Sequence, residues 1–529
     1  MTPSFRRLIT TESVEFLHFF RYLESMPDLE FSVPIHFDQD KPHDHCGVFG
    51  VYGHQQASQL TYLGLLALQH RGQEASGIVT CEHEPDTRRR RFHVHKDFGL
   101  VNDVFRDDTL LTQSLKGESA IGHNRYSTAG SANNTHNIQP FLVNYRNGNI
   151  AICHNGNLTN FRNIRSKLQR EGTIFQSTSD TEIILHLIAR SRETGQIRQI
   201  IDALQQVEGA FSILILTDDL LIAARDPHGW RPLAVGKLGE SFVVASETCA
   251  FDIVNAKYIG DVQPGEILVF DRESLRTGEA KSYHLRKTTP HPHYCIFEYI
   301  YFSRPDSRIF GESVDRVRRR FGKALAREHP VVPATGDERV IVINVPDSSN
   351  TATLGFVSEN TKLGNSTKFE IGLIRSHYVG RTFIQPDQDV REMKVRTKFN
   401  TVKGVLKDRK VVIVDDSIVR GTTSKQLIKL VRDAGAKEIH FRVTSPPIRY
   451  PCHYGMDFPE PGELIANAVN GDVEKIRLEL GVDSLGYLSL DSLLTAVPHE
   501  HGESYCTACF SGRYPTQVET GSSKEEHEV

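Results

Sequence analysis

The chain has 529 residues, of which 39% are hydrophobic and 24% charged, with a formal net charge of -4 and eight cysteines. That length exceeds what one hydrophobic core organises, so two or more domains are expected. The near-neutral charge balance gives no ground for nucleic-acid or membrane-surface binding, no run of about 18 apolar residues could span a bilayer, and the cysteines are too few for a disulfide scaffold.

In chain order, residues 1–45 carry little periodicity, and the N-terminal stretch lacks the apolar core of a secretory signal. The polar DQDKPHDH before Cys46 reads as an extension whose His43 and His45 are solvated. The character changes at Cys46. CGVFGVYG is small and apolar, and ASQLTYLGLLALQHRG follows at helical spacing. A cysteine among such residues is usually packing. Farther on come GHNRYSTAG from Gly122, CHNGNLTN from Cys153 and STSDTEIILHL from Ser177. EGAFSILILTDDLLIAARDPHGWRPLAV reads as two strands around an Asp-Asp turn, then a Gly/Pro loop; Ile267 to Phe270 reads as the last strand of this half. KSYHLRKTTPHPHY, residues 281–294, reads as a linker.

The second half opens with CIFEYIYFSRPDS and a basic amphipathic helix, SVDRVRRRFGKALAREHP, whose charges are read as a solvated face. VIVINV runs into PDSSNTATLGF, a strand, a loop of small and hydroxyl residues, and a helix. The polar RSHYVGRTFIQPDQDVREMKVRTKFN is expected to be a mobile lid over an anionic substrate. Next comes VVIVDDSIVRGTT, Val411 to Thr423. A β-branched run buried on both faces leads to Asp415 and Asp416, then to Ser417, Gly421, Thr422 and Thr423, with Ser424 expected to cap a helix that stops at Gly435. A small-residue loop entering a helix N-terminus is an anion site, and the paired carboxylates can accept ribose hydroxyls and hold a divalent cation. The stretch suits a sugar phosphate carrying Mg²⁺. It lacks the Gly-Lys-Ser/Thr ending of a Walker loop. Repeated units of this kind predict a doubly wound parallel sheet with ligands at the strand C-termini.

Cys81, Cys153 and Cys249 are expected to be buried, inert thiols. Cys506 and Cys509 form C-x2-C, equally compatible with zinc, a redox pair or chance. The tail from Thr516 is polar and expected to be disordered.

CGVFG, QHRGQEASGI, GHNRYST, HNGNLTN and STSD, in this order between Cys46 and Asp180, resemble the glutaminase domain of N-terminal-nucleophile (Ntn) amidotransferases. The resemblance implies that Cys46 becomes residue 1 on removal of all that precedes it. Its thiolate would attack the glutamine carboxamide, and the freed α-amino group, with a pKa of about 7.7–8.0, would shuttle protons. Asn155 and Gly156 would form the oxyanion hole. Arg125 and Asp180 would hold the glutamine carboxylate and ammonium groups, with Arg71 lining the site. Forty-five residues make a long propeptide; Met26 is an alternative start.

From CIFEYIYFSRPDS through VPDSS, YVGRTFIQP, VVIVDDSIVRGTT and SPPIRYPCHYGMD to CTACFSGRYP, the second half is similar to glutamine phosphoribosylpyrophosphate (PRPP) amidotransferases. By that resemblance Ser348, Asp415 and Asp416 hold Mg²⁺, Ser417 to Thr423 cradle phosphate, and Arg381, Arg396 and Lys398 belong to a flexible loop over pyrophosphate. RSHYVGRTF stands where the family carries a more basic approach, typically Lys-Asn-Arg-Tyr, so no cation is assigned at Ser376 or His377. Cys295, Cys452, Cys506 and Cys509 match the branch in which four cysteines hold a structural [4Fe–4S] cluster.

The implied fold is an α+β Ntn-hydrolase αββα sandwich over residues 46–285 and an α/β type I phosphoribosyltransferase domain over 286–500. An extension or propeptide, 1–45, precedes them and a C-terminal segment, 501–529, follows. The implied reaction converts glutamine, PRPP and water to 5-phosphoribosylamine, glutamate and pyrophosphate, the first step of purine synthesis, in a cytoplasmic homotetramer under purine-nucleotide feedback. Two rival readings fit the motifs less well. A glucosamine-phosphate synthase would share the first half but not the Asp-Asp loop. A PRPP-sensing regulator would have no use for a glutaminase.

Overall fold

The structure, a computed structural model, describes residues 46–83, 90–126, 134–286, 289, 291–333, 339–376, 399–458, 461–498 and 504–518. The first half carries the strands β1 (Gly47–Tyr52), β2 (Ala75–His83), β3 (Arg90–Phe98), β4 (Ser119–Arg125), β5 (Phe141–Tyr145), β6 (Gly148–Leu158), β7 (Gly209–Thr217), β8 (Leu221–Arg225), β9 (Ala234–Leu238), β10 (Ser241–Ala245), β11 (Lys257–Asp261), β12 (Glu266–Phe270) and β13 (Lys281–His284). They form two antiparallel sheets, ordered β11-β9-β10-β1-β4-β2-β3 and β13-β12-β8-β7-β6-β5.

The side chains of β1 show how the layers are made. Val48 and Tyr52 point into a core shared with Cys153, Leu214 and Leu216 of the other sheet. Phe49 and Val51 point the other way, into a core with α1 (Ala57–Ala67). Period-two alternation therefore buries both faces of the strand, one on a sheet and one on helices. On the far side α2 (Phe161–Arg170), α3 (Thr181–Arg190) and α4 (Gln196–Leu204) cover β6 and β7, and α5 (Cys249–Ile253) joins α1. The result is the expected αββα sandwich.

One expectation fails here. Ile267–Phe270 is not the last strand of the sandwich, because β13 pairs antiparallel with β12 inside the stretch read as a linker. Its residues are largely exposed and polar, as an edge strand's are, so hydrophobic periodicity could not reveal it.

The second half contains β14 (Tyr294–Cys295), the short pair β15 (Arg308–Ile309) and β16 (Glu312–Ser313), β17 (Val340–Asn344), β18 (Thr367–Phe369), β19 (Leu373–Arg375), β20 (Phe399–Thr401), β21 (Lys410–Asp415), β22 (Glu438–Val443), β23 (Ser484–Tyr487) and β24 (Tyr505–Cys506). Five of them make a parallel sheet, β18-β17-β21-β22-β23. Central β21 sends Val412 and Val414 into one core and Val411 and Ile413 into the other, as its β-branched run requires.

Helix α6 (Val314–Glu328) buries Val314, Val317, Phe321 and Leu325 and crosses α7 (Asn350–Lys362) closely. A Cβ at Gly322 would sit 1.8 Å from the Ala352 carbonyl oxygen, so only glycine permits that approach. The basic face of α6 is not wholly solvated: Arg318 is buried and donates to the carbonyls of Tyr299, Tyr301 and Ser303. Helix α8 (Thr422–Asp433) starts directly after Gly421, which turns the chain at φ +82°, two residues before the expected cap Ser424.

Candidate functional site

Cys46 immediately precedes β1 and is buried, with its Sγ 3.6 Å from the Tyr126 carbonyl oxygen. Burial pushes its thiol up to about 11, a rise that the Tyr126 backbone and nearby Arg125 only partly offset. β1 lies between β4 and β10, so the end of β4 delivers Arg125 beside Cys46, and the chain leaving β10 delivers Ser246. Ser246 Oγ accepts a hydrogen bond from Val48 N at 3.0 Å and lies 3.5 Å from Asn155 Nδ2. One hydroxyl thus ties the nucleophile's strand to the amide expected in the oxyanion hole. Asn155 is fully buried, and its Oδ1 makes no hydrogen bond among the described residues. The next residue, Gly156, has φ +154°, and a Cβ there would fall 2.0 Å from the Ala210 carbonyl oxygen.

Asp180 stands at the start of α3, with Oδ2 accepting from Leu158 N at 2.9 Å and Oδ1 3.7 Å from His154 Nδ1. Burial alone would raise its pKa, but His154 and the hydrogen bonds hold it below the ordinary value. Arg125 reaches Glu74 at 3.9 Å. Cys46 and Arg125 therefore lie beside each other, just before β1 and at the end of β4, with Asn155 and Gly156 in β6 and Asp180 just before α3.

Arg71 is held among buried charges. Its guanidinium is buried and ion-paired to Glu247 and, at 2.7 Å, to Glu298. Glu298 also takes Arg231 at 3.2 Å and Ser303 Oγ at 2.7 Å, while Glu247 takes His70 at 2.7 Å and Ser307 Oγ at 2.6 Å. The four charges of Arg71, Arg231, Glu247 and Glu298 join the sandwich to the segment that opens the second half. A guanidinium so committed braces the two halves.

In the second half Asp415 ends β21, and Asp416 and Ser417 open the loop, all three buried. Ser348 Oγ donates to Asp416 Oδ1 at 2.5 Å, and Ser417 Oγ donates to Asp416 Oδ2 at 2.5 Å. Asp415 Oδ1 accepts from Asp416 N at 2.9 Å and from Ser349 Oγ at 3.3 Å. β17 pairs with β21, so both strand ends, Ser348 beyond one and Asp415 and Asp416 on the other, meet at the C-terminal edge of the parallel sheet. Gly421, Thr422 and Thr423 enter α8 beside them. Arg381, Arg396 and Lys398 lie outside the described residues, as do residues 1–45 and nearly all of the expected lid.

The four remaining cysteines come together from three parts of the chain. β14 and β24 pair in parallel with Cys295 opposite Cys506. All six pairings among Cys295, Cys452, Cys506 and Cys509 are close enough for each thiol to oppose ionisation of another, and burial raises all four pKa values. Among the described residues no three Cys, His, Asp or Glu side chains converge tightly enough for a single metal ion. Four thiols, one buried and three half-buried, with the Arg231 cation beside Cys295 and Cys452, make a donor set that suits an anionic metal centre. The Cys452 loop also touches the first site. Asn157 Nδ2 donates to the His453 carbonyl at 3.0 Å, and a Cβ on Gly455 would lie 3.1 Å from the Gly156 carbonyl carbon.

Residues 123–252 match the model of a glutamine amidotransferase domain. Over the longer span, the chain is 47% identical across 481 residues to "Amidophosphoribosyltransferase 1, chloroplastic" of Arabidopsis thaliana, covering 91% of this chain and 80% of that one. It is 45% identical over 479 residues to the amidophosphoribosyltransferase of Bacillus subtilis strain 168, covering 90% and 95%. The chain belongs to the amidophosphoribosyltransferase family. A solved structure of the glutamine PRPP amidotransferase from B. subtilis, complexed with ADP and GMP, superposes with a TM-score of 0.80 at 44% identity, covering 90% of this chain and 98% of that one.

Within this amidophosphoribosyltransferase fold, sequence motifs missed Ser246, His154 and the Glu247–Arg71–Glu298–Arg231 network. Each acts through a partner between 26 and 227 positions away, so no local pattern marks it.

Proposed function

We propose that this amidophosphoribosyltransferase works through Cys46 as an N-terminal nucleophile and through Ser348, Asp415 and Asp416 as the seat of Mg²⁺·PRPP. The reaction is glutamine-dependent amination of PRPP, which yields 5-phosphoribosylamine, glutamate and pyrophosphate and opens purine synthesis. The observation that carries the residue roles is the pairing, in one chain, of a buried Cys46 two residues from the Val48–Ser246–Asn155 hydrogen-bond chain with a Ser348–Asp415–Asp416 cradle at the end of a parallel sheet.

Removal of residues 1–45 frees the Cys46 α-amino group. That amine takes the thiol proton as Sγ attacks the carboxamide, and returns a proton to the leaving ammonia. The oxyanion is met by an N–H of Asn155 Nδ2, held in place by Ser246 Oγ, and by the Gly156 N–H. Arg125 pairs with the substrate carboxylate and Asp180 with its ammonium. Water then cleaves the γ-glutamyl thioester to glutamate and restores the thiol. Ammonia crosses to the second site and displaces pyrophosphate from the anomeric carbon, best along a path closed to water. The residues that would hold Mg²⁺ are a hydroxyl and two carboxylates, oxygen donors of the kind it prefers, and the ion would neutralise charge on the departing pyrophosphate. Ser417 to Thr423 cradle the 5-phosphate. Arg381, Arg396 and Lys398 are proposed for the loop over pyrophosphate.

Cys295, Cys452, Cys506 and Cys509 are proposed to hold a [4Fe–4S] cluster whose role is structural. The Cys452 loop rests on Asn157 and Gly156, which supports a path by which cluster loss would loosen the oxyanion hole. Purine-nucleotide feedback, a homotetramer and a cytoplasmic location complete the reading. Among the described residues no helix is long and apolar enough to cross a membrane.

Glutamate release from glutamine by anaerobically purified protein, with and without PRPP·Mg²⁺, tests the scheme. Release that rises with PRPP and vanishes in Cys46→Ala supports both sites and their coupling. Release indifferent to PRPP argues against the second site, and full activity with Met1 or Met26 at the N-terminus rules out the nucleophile.

A further inference from the structure

Trp230 is the only tryptophan in the chain and is fully buried in the loop after β8. Its ring is the middle of three. His228 stacks on one side at 4.2 Å between centroids, and Tyr454 on the other at 4.2 Å with an interplanar angle of 16°. Cys452 and Cys506 pack against this cluster, together with Tyr514. The indole Nε1 is buried and makes no well-formed hydrogen bond among the described residues. A buried N–H without an acceptor carries its desolvation penalty uncompensated, so natural structures rarely keep one idle. Cys506, one of the two cysteines packed on this cluster, lies within reach of Nε1. A neutral thiol is a weak acceptor; a thiolate accepts a much stronger, charge-assisted bond.

We propose that Trp230 is a positioning residue for the iron–sulfur cluster, with its indole N–H reserved for the metal-bound Cys506 thiolate and its three-ring stack sealing that side from water and oxygen. This rests on the four-cysteine reading above. Hydrogen bonds to cluster sulfurs and solvent exposure set a cluster's reduction potential, and outer partners orient its ligands. The next residue complements it: Arg231, whose guanidinium donates to Glu298 and to the Tyr454 carbonyl, places its charge near Cys295 and Cys452. Two consecutive residues thus serve three of the four thiols.

A single tryptophan makes the test specific, because indole-¹⁵N tryptophan labels one nitrogen in the whole chain. In full-length, anaerobically reconstituted protein with the cluster reduced by one electron, electron–nuclear double resonance is expected to show a ¹⁵N coupling. No coupling would overturn the proposal. Trp230→Phe keeps a stacking ring without the N–H. It is expected to bind the same iron and sulfide as wild type, with a more negative midpoint potential and faster bleaching in air; an unchanged potential and bleaching rate would overturn the proposal. If the variant fails to assemble a cluster, the ¹⁵N coupling in wild type decides alone. Wild-type protein that takes up no iron on reconstitution, or holds only zinc, would instead overturn the four-cysteine reading and this proposal with it.

Discussion

The two candidate sites sit at strand ends, yet they are built in opposite ways. The second is nearly contiguous: Asp415, Asp416, Ser417 and the loop into α8 come from one strand–loop–helix unit, with Ser348 added from the neighbouring strand. The first is assembled from a distance. Val48 and Ser246 are 198 positions apart, Asn155 and Ser246 are 91 apart, and Asp180 reaches back to Leu158 over 22. A phosphate cradle can be contiguous because backbone N–H groups at a helix start do the binding. A glutaminase site cannot, because nucleophile, oxyanion donor and substrate carboxylate ligand must approach one carbon from different directions.

That contrast sets the expected sizes of perturbations. The largest effect belongs to Cys46→Ala, which is expected to cut glutamine-dependent turnover by about 10⁴-fold or more, as loss of a covalent nucleophile does. Turnover with ammonium salts should stay within about twofold, since the second site is untouched. Loss of both activities would mean that the two sites are not separable.

Next comes the brace between the halves. Arg71→Met leaves Glu247 and Glu298 short of a buried counter-charge and is expected to cost about 3–5 kcal/mol of stability, read by denaturant unfolding. If Arg71 instead serves glutamine, its loss would raise KM and leave the unfolding midpoint in place. The same network predicts a pH dependence. Burial would raise both carboxyls, but His70 and Arg71 hold Glu247, and Arg71 and Arg231 hold Glu298, below the ordinary range. Depressed folded-state pKa values mean stabilisation that is complete above the unfolded glutamate value, about 4.3, and lost as pH falls below it towards the folded values. Arg71→Met should flatten that acid limb. An equally steep limb in the variant would assign it to other carboxylates.

Asp416→Asn, in the contiguous site, is expected to lower PRPP-dependent turnover by about 100-fold with either nitrogen source, on the scale of several kcal/mol for metal-held phosphate chemistry. Basal glutamine hydrolysis should survive. A loss confined to the glutamine-dependent reaction would place the carboxylate outside the PRPP site.

The smallest effect tests the assembled site. Ser246→Ala removes the hydroxyl between Val48 N and Asn155 Nδ2, worth about 1 kcal/mol, and should slow thioester formation by about fivefold with little change in ammonia-dependent turnover. No change in glutaminase rate would mean that β1 and β6 hold Asn155 without it.

The sequence by itself determined more than the fold class. The motif series from Cys46 to Asp180 and the stretch VVIVDDSIVRGTT carried the family, because each motif is a short run whose backbone and side chains do one local task. Buried strands such as β21 were legible from β-branched runs, and α1 from its helical spacing. Tertiary structure alone decided what depended on which strands became neighbours. β13 is polar because it lies at an edge, Arg71 is committed to Glu298 because the halves pack there, and Cys295 meets Cys506 only through the β14–β24 pairing. Trp230 reads in sequence as one residue of a Gly/Pro loop; its stack on Tyr454 exists because a loop 224 positions later folds back onto the sandwich. Local periodicity records how a segment meets water and its own neighbours in sequence, whereas the partner of a buried charge or ring is set by sheet order and domain packing.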